Sequence, residues 1–211
     1  MHRNELLSKT IHQYRYELNR GKSLAIFNGG VVILSKYAIV EKAGEVYHSR
    51  TRWDRFAAKG IAFVRLDVDG MMLDVYGTHM QSGDKNSEQE ARLAQASQVA
   101  EFIKRNSSQD SKIVFGGDIN MGPVLDPTFQ KFSAHYTDEQ DVRARHKAYE
   151  TLKTKSGLED IVSEEPEFLE DINRFLGRNL GEKKVTYLGL ERCEDGSRLS
   201  DSQSVLLTIT I

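Results

Sequence analysis

The stretch that decides the fold is Lys112-Ile113-Val114-Phe115-Gly116-Gly117-Asp118-Ile119-Asn120-Met121-Gly122-Pro123. Its apolar run, 113–115, predicts a buried strand. The two glycines that follow predict the end of that strand, where the backbone turns or approaches a neighbour. If the strand geometry continues, Asp118 and Asn120 point to the same side. Such a pair suits a hard cation, or a phosphate with an attacking water, although the same residues also favour a simple Asx-type turn.

Two other strand ends carry polar side chains. Residues 73–81 read as a strand that ends at His79, and Asp69-Gly70 before it predicts a hairpin with an antiparallel strand over 61–68. Near the C-terminus, a polar turn that contains Asp201 leads into the last strand. We expect His79, Asp118 with Asn120, and Asp201 to converge at one rim of a sheet.

Composition limits the class of protein. The chain has 211 residues, 39% of them hydrophobic and 28% charged, which is typical of one globular domain. The formal net charge of -2 lacks the basic excess of nucleic-acid-binding proteins, so nucleic acid is a disfavoured partner. The single cysteine, Cys193, excludes an internal disulfide. No signal peptide or membrane-spanning run is recognisable, which leaves the compartment open.

Apolar spacing predicts helices over 5–19 and 87–105, the second with Ser87 and Glu90 as a capping box. On this second helix, Arg92 and Gln95 either brace the loops at the strand ends or lie on its solvent-exposed face. The other predicted elements are a strand over 29–37 that pairs with 39–47, a charged and solvated segment over 136–145, a helix over 149–155, and closing strands over 184–190 and 205–211.

Four short motifs together resemble the endonuclease/exonuclease/phosphatase superfamily. They are Thr78-His79-x-Gln81, Arg92-x-x-Gln95, Gly117-Asp118-x-Asn120 and Ser200-Asp201. The resemblance is strongest to the branch of neutral, Mg-dependent sphingomyelinases. It implies an α+β fold, a four-layer α/β/β/α sandwich that is incomplete at the N-terminus. Residues 1–211 would form a single domain that lacks the first strands.

The resemblance also implies roles for particular residues. Asp118 would orient a nucleophilic water, while His79 and Asn120 would hold the phosphate as charge develops. Asp201 would assist catalysis, and Asp118, Asn120 and Asp201 would bind Mg. Lys59 lies in an Asp-x-x-x-x-Lys-Gly segment similar to that of the family. It would bind substrate by facing a phosphate, or it is a solvated lysine before a turn glycine.

The chain departs from the family pattern at several points. Relatives have Ser-Asp-His where this chain has Ser200-Asp201-Ser202, and they have Asp-Tyr where it has Thr186-Tyr187. A serine hydroxyl cannot take a proton at neutral pH as the missing histidine would. The family's first strands, with an Asn and the principal Mg-binding Glu, precede the part that this chain resembles. Their loss would expose a sheet edge, which a partner chain would cover. The missing strands would be explained if the chain were a fragment, one piece of a split gene or a decayed paralogue.

Three functions follow from these expectations. The first is an Mg-dependent phosphodiesterase or phosphatase-type hydrolase that resembles sphingomyelinase, with impaired catalysis, acting on a phosphodiester or phospholipid head group. The second is a catalytically dead binding or interaction module of the same fold. The third is a nuclease or inositol phosphatase of the superfamily, which the acidic balance disfavours. The sequence shows no exposed aromatic hairpin, so membrane docking is not evident.

Overall fold

The computed structural model describes residues 14–18, 25–121, 139–161, 172–188, 193–196 and 204–211. Helix α1 spans Asn86–Asn106, helix α2 spans Glu139–Ser156, and a 3-10 turn spans Arg52–Phe56. The described strands are β1 (Tyr14–Glu17), β2 (Phe27–Asn28), β3 (Val32–Ser35), β4 (Ala38–Val46), β5 (Ala57–Ala58), β6 (Gly60–Val68), β7 (Met71–His79), β8 (Lys112–Asp118), β9 (Glu159–Ile161), β10 (Asn173–Arg178), β11 (Lys183–Leu188) and β12 (Ser204–Ile209).

Six strands form a mixed sheet in the order β4-β6-β7-β8-β10-β9. β6 and β7 pair antiparallel through Asp69-Gly70, as predicted, and both turn residues have the positive φ angles (53° and 90°) of a tight hairpin. β7 and β8 are parallel, because α1 carries the chain back between them. Their C-terminal ends therefore meet at one rim, where His79 is paired with Asp118.

One face of this sheet packs against both helices. The predicted apolar stripe of α1 is buried there, and its Val99 and Ile103 join Tyr149 and Leu152 of α2 in one core with Phe115 of β8. Each fully buried side chain of this size contributes about 1.5–3 kcal/mol relative to an exposed one. This core holds the two helices and the central strands as one layered unit.

The start of α1 differs slightly from the prediction. The helix begins at Asn86, and the Glu88 carboxylate accepts a hydrogen bond from the Lys85 N–H at 2.9 Å. The carboxylate that accepts the backbone hydrogen bond of the capping box is therefore that of Glu88 and not that of Glu90, and Ser87 lies inside the first turn.

The opposite face of the sheet packs against shorter ladders. β1 pairs antiparallel with β3, and Leu18, Val31 and Ala62 form a second buried cluster beneath this ladder. β11 and β12 pair antiparallel as the predicted closing strands, and they contact β9 and β10. The fold class is α+β, as predicted, with helices on one side of a mixed sheet and strands on the other.

Several local predictions are wrong. Within the predicted helix over 5–19, residues 14–17 form strand β1, because they pair with β3. Residues 5–13 and 19 lie outside the described part. β4 pairs with β6 and not with 29–37. β8 continues through both glycines to Asp118, and β10 was not predicted. Neither described helix is long and apolar enough to cross a membrane.

Candidate functional site

His79 and Asp118 face each other at the rim where β7 and β8 end. The His79 Nε2 atom lies 3.7 Å from Asp118 Oδ2, and the two side chains are 37% and 25% exposed. This distance is longer than a hydrogen bond, but it is short enough for electrostatic attraction. The two side chains that were predicted to converge therefore lie next to each other at the rim, and each is partly exposed.

Gly117 makes this close approach possible. Its φ angle is 140°, a conformation that side chains rarely adopt, and a Cβ atom built there would lie 2.1 Å from the Thr78 carbonyl oxygen. On the other side of β8, a Cβ atom on Gly116 would lie 2.6 Å from the Phe175 ring. The Gly-Gly pair thus does not end the strand; it lets two neighbouring strands close up beside Asp118.

Asn120 lies just beyond the end of β8 and fixes the turn after Asp118. It has a positive φ angle of 51°, and its N–H donates to Asp118 Oδ1 at 3.0 Å. Its Nδ2 atom donates to the Met80 carbonyl oxygen at 3.1 Å, and the residue is buried. The Asx-type turn is therefore formed, and the same asparagine also ties the Asp118 turn to the residue after His79.

Lys59 also donates a hydrogen bond to the Met80 carbonyl oxygen. Its Nζ atom donates to the Met80 oxygen at 3.1 Å and to Asp54 Oδ2 at 2.8 Å, and the residue is only 5% exposed. Asp54 Oδ2 also accepts the Ser82 N–H at 2.8 Å. The solvated-lysine alternative is wrong, because the ammonium lies in a buried ion pair below the loop that follows His79. Its predicted contact with substrate stays a prediction.

Helix α1 braces the loop 80–84. The Arg92 Nε atom donates to the Gln81 carbonyl oxygen at 3.0 Å, and its Nη2 atom donates to the Gly83 carbonyl oxygen. Gln95 Oε1 accepts the Gln81 N–H at 2.8 Å. Both side chains are fully buried. Of the two alternatives for Arg92 and Gln95, the structure supports the bracing role.

Arg145 of helix α2 completes this bracing and was missed in the sequence. Its Nη1 atom donates to the Asn120 carbonyl oxygen at 2.6 Å, and its Nη2 atom donates to the Gly83 carbonyl oxygen at 3.0 Å. Its Nε atom donates to the buried Asp141 carboxylate at 2.8 Å. The prediction that 136–145 is solvated is therefore wrong for Asp141 and Arg145. The i,i+4 spacing of Asp141 and Arg145 predicts an ion pair on a helix. The same spacing is equally typical of a pair at the surface, so it does not indicate burial.

Tyr47 supports the strand end below His79. Its hydroxyl bonds to the Thr78 hydroxyl, which also donates to the Gly60 carbonyl oxygen at 2.9 Å. Complete burial raises the pKa of the Tyr47 phenol above its ordinary value of 10.0. The phenol therefore stays protonated and holds Thr78, the residue before His79, in place.

The sequence is similar to bacterial phospholipase C and sphingomyelinase C proteins. No family model matches the sequence. A phospholipase C of Staphylococcus aureus is 33% identical over 99 residues, which are 44% of this chain and 30% of that protein. A sphingomyelinase C of Listeria ivanovii is 28% identical over 136 residues, which are 62% of this chain and 41% of that protein. The matched part spans less than half the length of either relative.

A crystal structure of beta toxin from Staphylococcus aureus has the same fold. It superposes with a TM-score of 0.70 at 18% identity and covers 97% of this chain and 77% of that chain. This likeness shows that the two chains share a fold. Together with the sequence relatives, it points to the endonuclease/exonuclease/phosphatase superfamily and its sphingomyelinase-like branch, as the motifs predicted. A beta toxin mutant with bound magnesium ions is also similar, with a TM-score of 0.67, 19% identity and the same two coverages, 97% and 77%.

Within this sphingomyelinase-like fold, the described residues do not by themselves fit a magnesium ion. Mg²⁺ takes a near-octahedral set of oxygen ligands. In the part of the chain that the structure describes, no group of three or more His, Cys, Asp or Glu side chains is placed to hold a metal. The rim there offers Asp118 beside His79. The third predicted ligand, Asp201, lies outside the described residues.

Proposed function

We propose that this chain is a phosphodiesterase-type hydrolase of sphingomyelinase-like ancestry with impaired catalysis. The observation that carries the proposal is the placement of His79 opposite Asp118 at the rim of two parallel strands. Asn120, Arg145 and Arg92 hold the loops on either side of this pair. A site held this firmly before any ligand arrives needs little reorganisation when charge develops on a phosphoryl group.

The residues of the rim suggest a division of roles. In hydrolysis, a water oxygen forms a bond to phosphorus and gives up a proton, the bond to the leaving oxygen breaks, and the leaving oxygen takes up a proton. Asp118 would orient that water by accepting its hydrogen bond, and His79 would donate to a phosphoryl oxygen. Asn120 and the buried Lys59 ammonium both donate to the Met80 carbonyl oxygen, and they would thereby hold the loop that follows His79 in position.

Two features support impaired catalysis. Ser202 stands where the resembled family has a histidine, and a serine hydroxyl does not supply a proton near neutral pH. Losing a general acid or base typically costs about 10²–10⁴ in rate. Asp118, Asn120 and Asp201 remain the proposed ligands for magnesium, and the described pair alone is an incomplete set. We therefore expect slow turnover that EDTA lowers to background.

The test uses sphingomyelin and a soluble choline phosphodiester as substrates, with magnesium added or chelated. We expect slow release of phosphocholine that falls to background in Asp118→Asn and His79→Gln. Matched controls are Asp110→Asn and His146→Gln, since both side chains are exposed, Asp110 precedes β8 at the end opposite to the rim, and His146 lies on α2. Turnover that survives both rim substitutions would contradict the proposal.

A binding module without catalysis is the second candidate. The incomplete set of metal ligands in the described residues favours it. Calorimetric titration with phosphocholine separates the two functions. Saturable binding that Asp118→Asn weakens, together with no release of product from either substrate, would assign the chain to the binding class.

A further inference from the structure

Three apolar side chains project far into solvent on one corner of the molecule. Trp53 is 82% exposed, Phe27 is 64% exposed and Ile26 is 63% exposed. These are the largest exposed fractions among the large apolar residues of the described part. Isolated exposed apolar residues are ordinary, but a group of them marks an interaction surface.

The structure brings these three residues together through Phe56. The Ile26 N–H donates to the Phe56 carbonyl oxygen at 2.8 Å, and Phe27 is paired with Ala57 in the parallel β2–β5 ladder. The Trp53 and Phe56 ring centroids lie 6.2 Å apart. Ile26, Phe27, Trp53 and Phe56 form what we call the apolar corner. Ile26 directly precedes β2 and Phe27 begins it, so both exposed side chains lie beside the β2–β5 ladder.

Cationic residues are frequent in the segment that carries Trp53 and Phe56. Residues 50–59 contain Arg50, Arg52, Arg55 and Lys59 against the single acidic residue Asp54, although the whole chain carries a net charge of -2. Lys59 neutralises Asp54, and Arg52 lies 3.4 Å from Glu88. The Arg55 guanidinium lies 4.7 Å from the centre of the Phe56 ring. Because Lys59 and Arg52 are both paired with carboxylates, the cation that the structure places against the apolar corner is Arg55.

The segment that carries Trp53 is hydrogen-bonded to the loop that follows His79. Trp53 follows Arg52, whose positive φ angle of 51° begins the 3-10 turn. A non-glycine residue in this region stores strain that its surroundings must hold. Asp54, next along the turn, accepts the Ser82 N–H, and the Thr51 N–H donates to Gln81 at 3.0 Å. Both partners lie in the loop that follows His79.

We propose that the apolar corner docks the protein onto the interface of a phospholipid bilayer and thereby presents the His79–Asp118 rim to the lipid head groups. Tryptophan and phenylalanine prefer the boundary between head groups and acyl chains, where an apolar ring meets a wet environment. Guanidinium groups bind lipid phosphates in a bidentate manner, and they gain further from an anionic surface. This combination of aromatic and arginine side chains favours a bilayer over an apolar protein surface.

The chain offers its own probe, because Trp53 is its only tryptophan. The full chain is titrated with vesicles of phosphatidylcholine, alone or mixed with phosphatidylserine, while tryptophan emission is recorded. We expect a blue shift, quenching by lipids brominated on the acyl chains, and tighter binding to the anionic vesicles. An emission maximum that does not move with either composition would overturn the proposal.

Substitutions then locate the contact. Phe27→Ser should weaken vesicle binding roughly tenfold or more, and Arg55→Gln should weaken binding to anionic vesicles roughly fivefold. The controls are Val40→Ser, which removes a 55% exposed apolar residue from β4, and Lys104→Gln, which removes an exposed cation from α1. Both should bind like the parent chain. Equal weakening by the controls would overturn the proposal.

Two further readouts separate this inference from other possibilities. Docking does not rest on the proposed hydrolysis, because it is measured by binding, whereas turnover of the soluble choline phosphodiester tests the rim alone. A variant such as Phe27→Ser should lose action on vesicles and keep its action on the soluble diester. Sedimentation that shows a dimer which Phe27→Ser dissociates would assign the apolar corner to a second copy of the chain and overturn membrane docking.

Discussion

The α-carbon of Gly117 lies against the carbonyl oxygen of Thr78, directly before the two facing residues of the rim. A Cβ atom at position 117 would lie 2.1 Å from that oxygen, and the φ angle there is 140°. Gly117→Ala should therefore force β7 and β8 apart and cost about 3 kcal/mol of unfolding free energy or more, since steric overlap and backbone strain add. Urea unfolding measures this loss of unfolding free energy.

Gly30→Ala is the control, because Gly30 also has a positive φ angle, 74°, but open space around it. We expect Gly30→Ala to lower the unfolding free energy by about 1 kcal/mol. Equal costs at both positions would contradict the close-approach argument.

Arg145 should contribute strongly to the stability of the fold. Arg145→Met removes three hydrogen bonds and leaves the Asp141 carboxylate buried without its cation. Breaking a buried pair in this way typically costs about 3–5 kcal/mol. Lys153→Met on the same helix is the control, because its pair with Glu150 lies at the surface and should contribute less than about 1 kcal/mol. Thermal unfolding with a double-mutant cycle on Asp141→Asn measures the coupling. A coupling energy near zero would show that the pair is not the cause.

Stability should fall steeply in alkaline solution. Burial raises the pKa of Tyr47, Tyr76 and Tyr149 above the ordinary 10.0. Above that pH the unfolded chain loses these protons while the folded chain keeps them, so stability present below pH about 10 is lost as pH rises. The slope should approach about 1.4 kcal/mol per pH unit for each tyrosine. Urea unfolding at several alkaline pH values measures it. Tyr47→Phe should remove one tyrosine's share of the slope, and an unchanged slope would contradict the assignment.

The role of Lys59 divides into two measurable parts. Lys59→Met removes the ammonium from Asp54 and from the Met80 carbonyl, and we expect a loss of about 3 kcal/mol in unfolding free energy. If Lys59 also acts on the phosphate, the affinity for phosphocholine should fall even where the variant is fully folded. Lys85→Met is the control, because its ion pair with Asp84 is exposed. An affinity equal to that of the parent chain would limit Lys59 to a structural role.

The sequence predicted those parts of the fold that local patterns specify. Asp69-Gly70 fixed the β6–β7 hairpin because only residues that tolerate positive φ angles close such a turn. The apolar stripe of α1 specified a buried helix face. The rim pair His79 and Asp118 could be predicted because each ends an apolar strand run.

Other features depend on contacts between distant parts of the chain. Tyr14–Glu17 fitted a helical spacing, yet it is a strand because β3 supplies its hydrogen bonds. β10 contains the buried Arg174 beside Leu176, and an arginine at a core position hides the alternation of a strand. Arg145 looked solvated because nothing near it in sequence shows that two carbonyls converge on it. The apolar corner joins residues more than twenty positions apart.

The outer strands of the six-stranded sheet also bear on how the protein behaves in concentrated solution. β9 has only three residues, and the pairing of β4 shifts register between Ile39 and Glu41. A short strand and a bulged one are poor templates for strand addition by another molecule. Along these two edges the six-stranded sheet should therefore resist the growth of cross-β fibres.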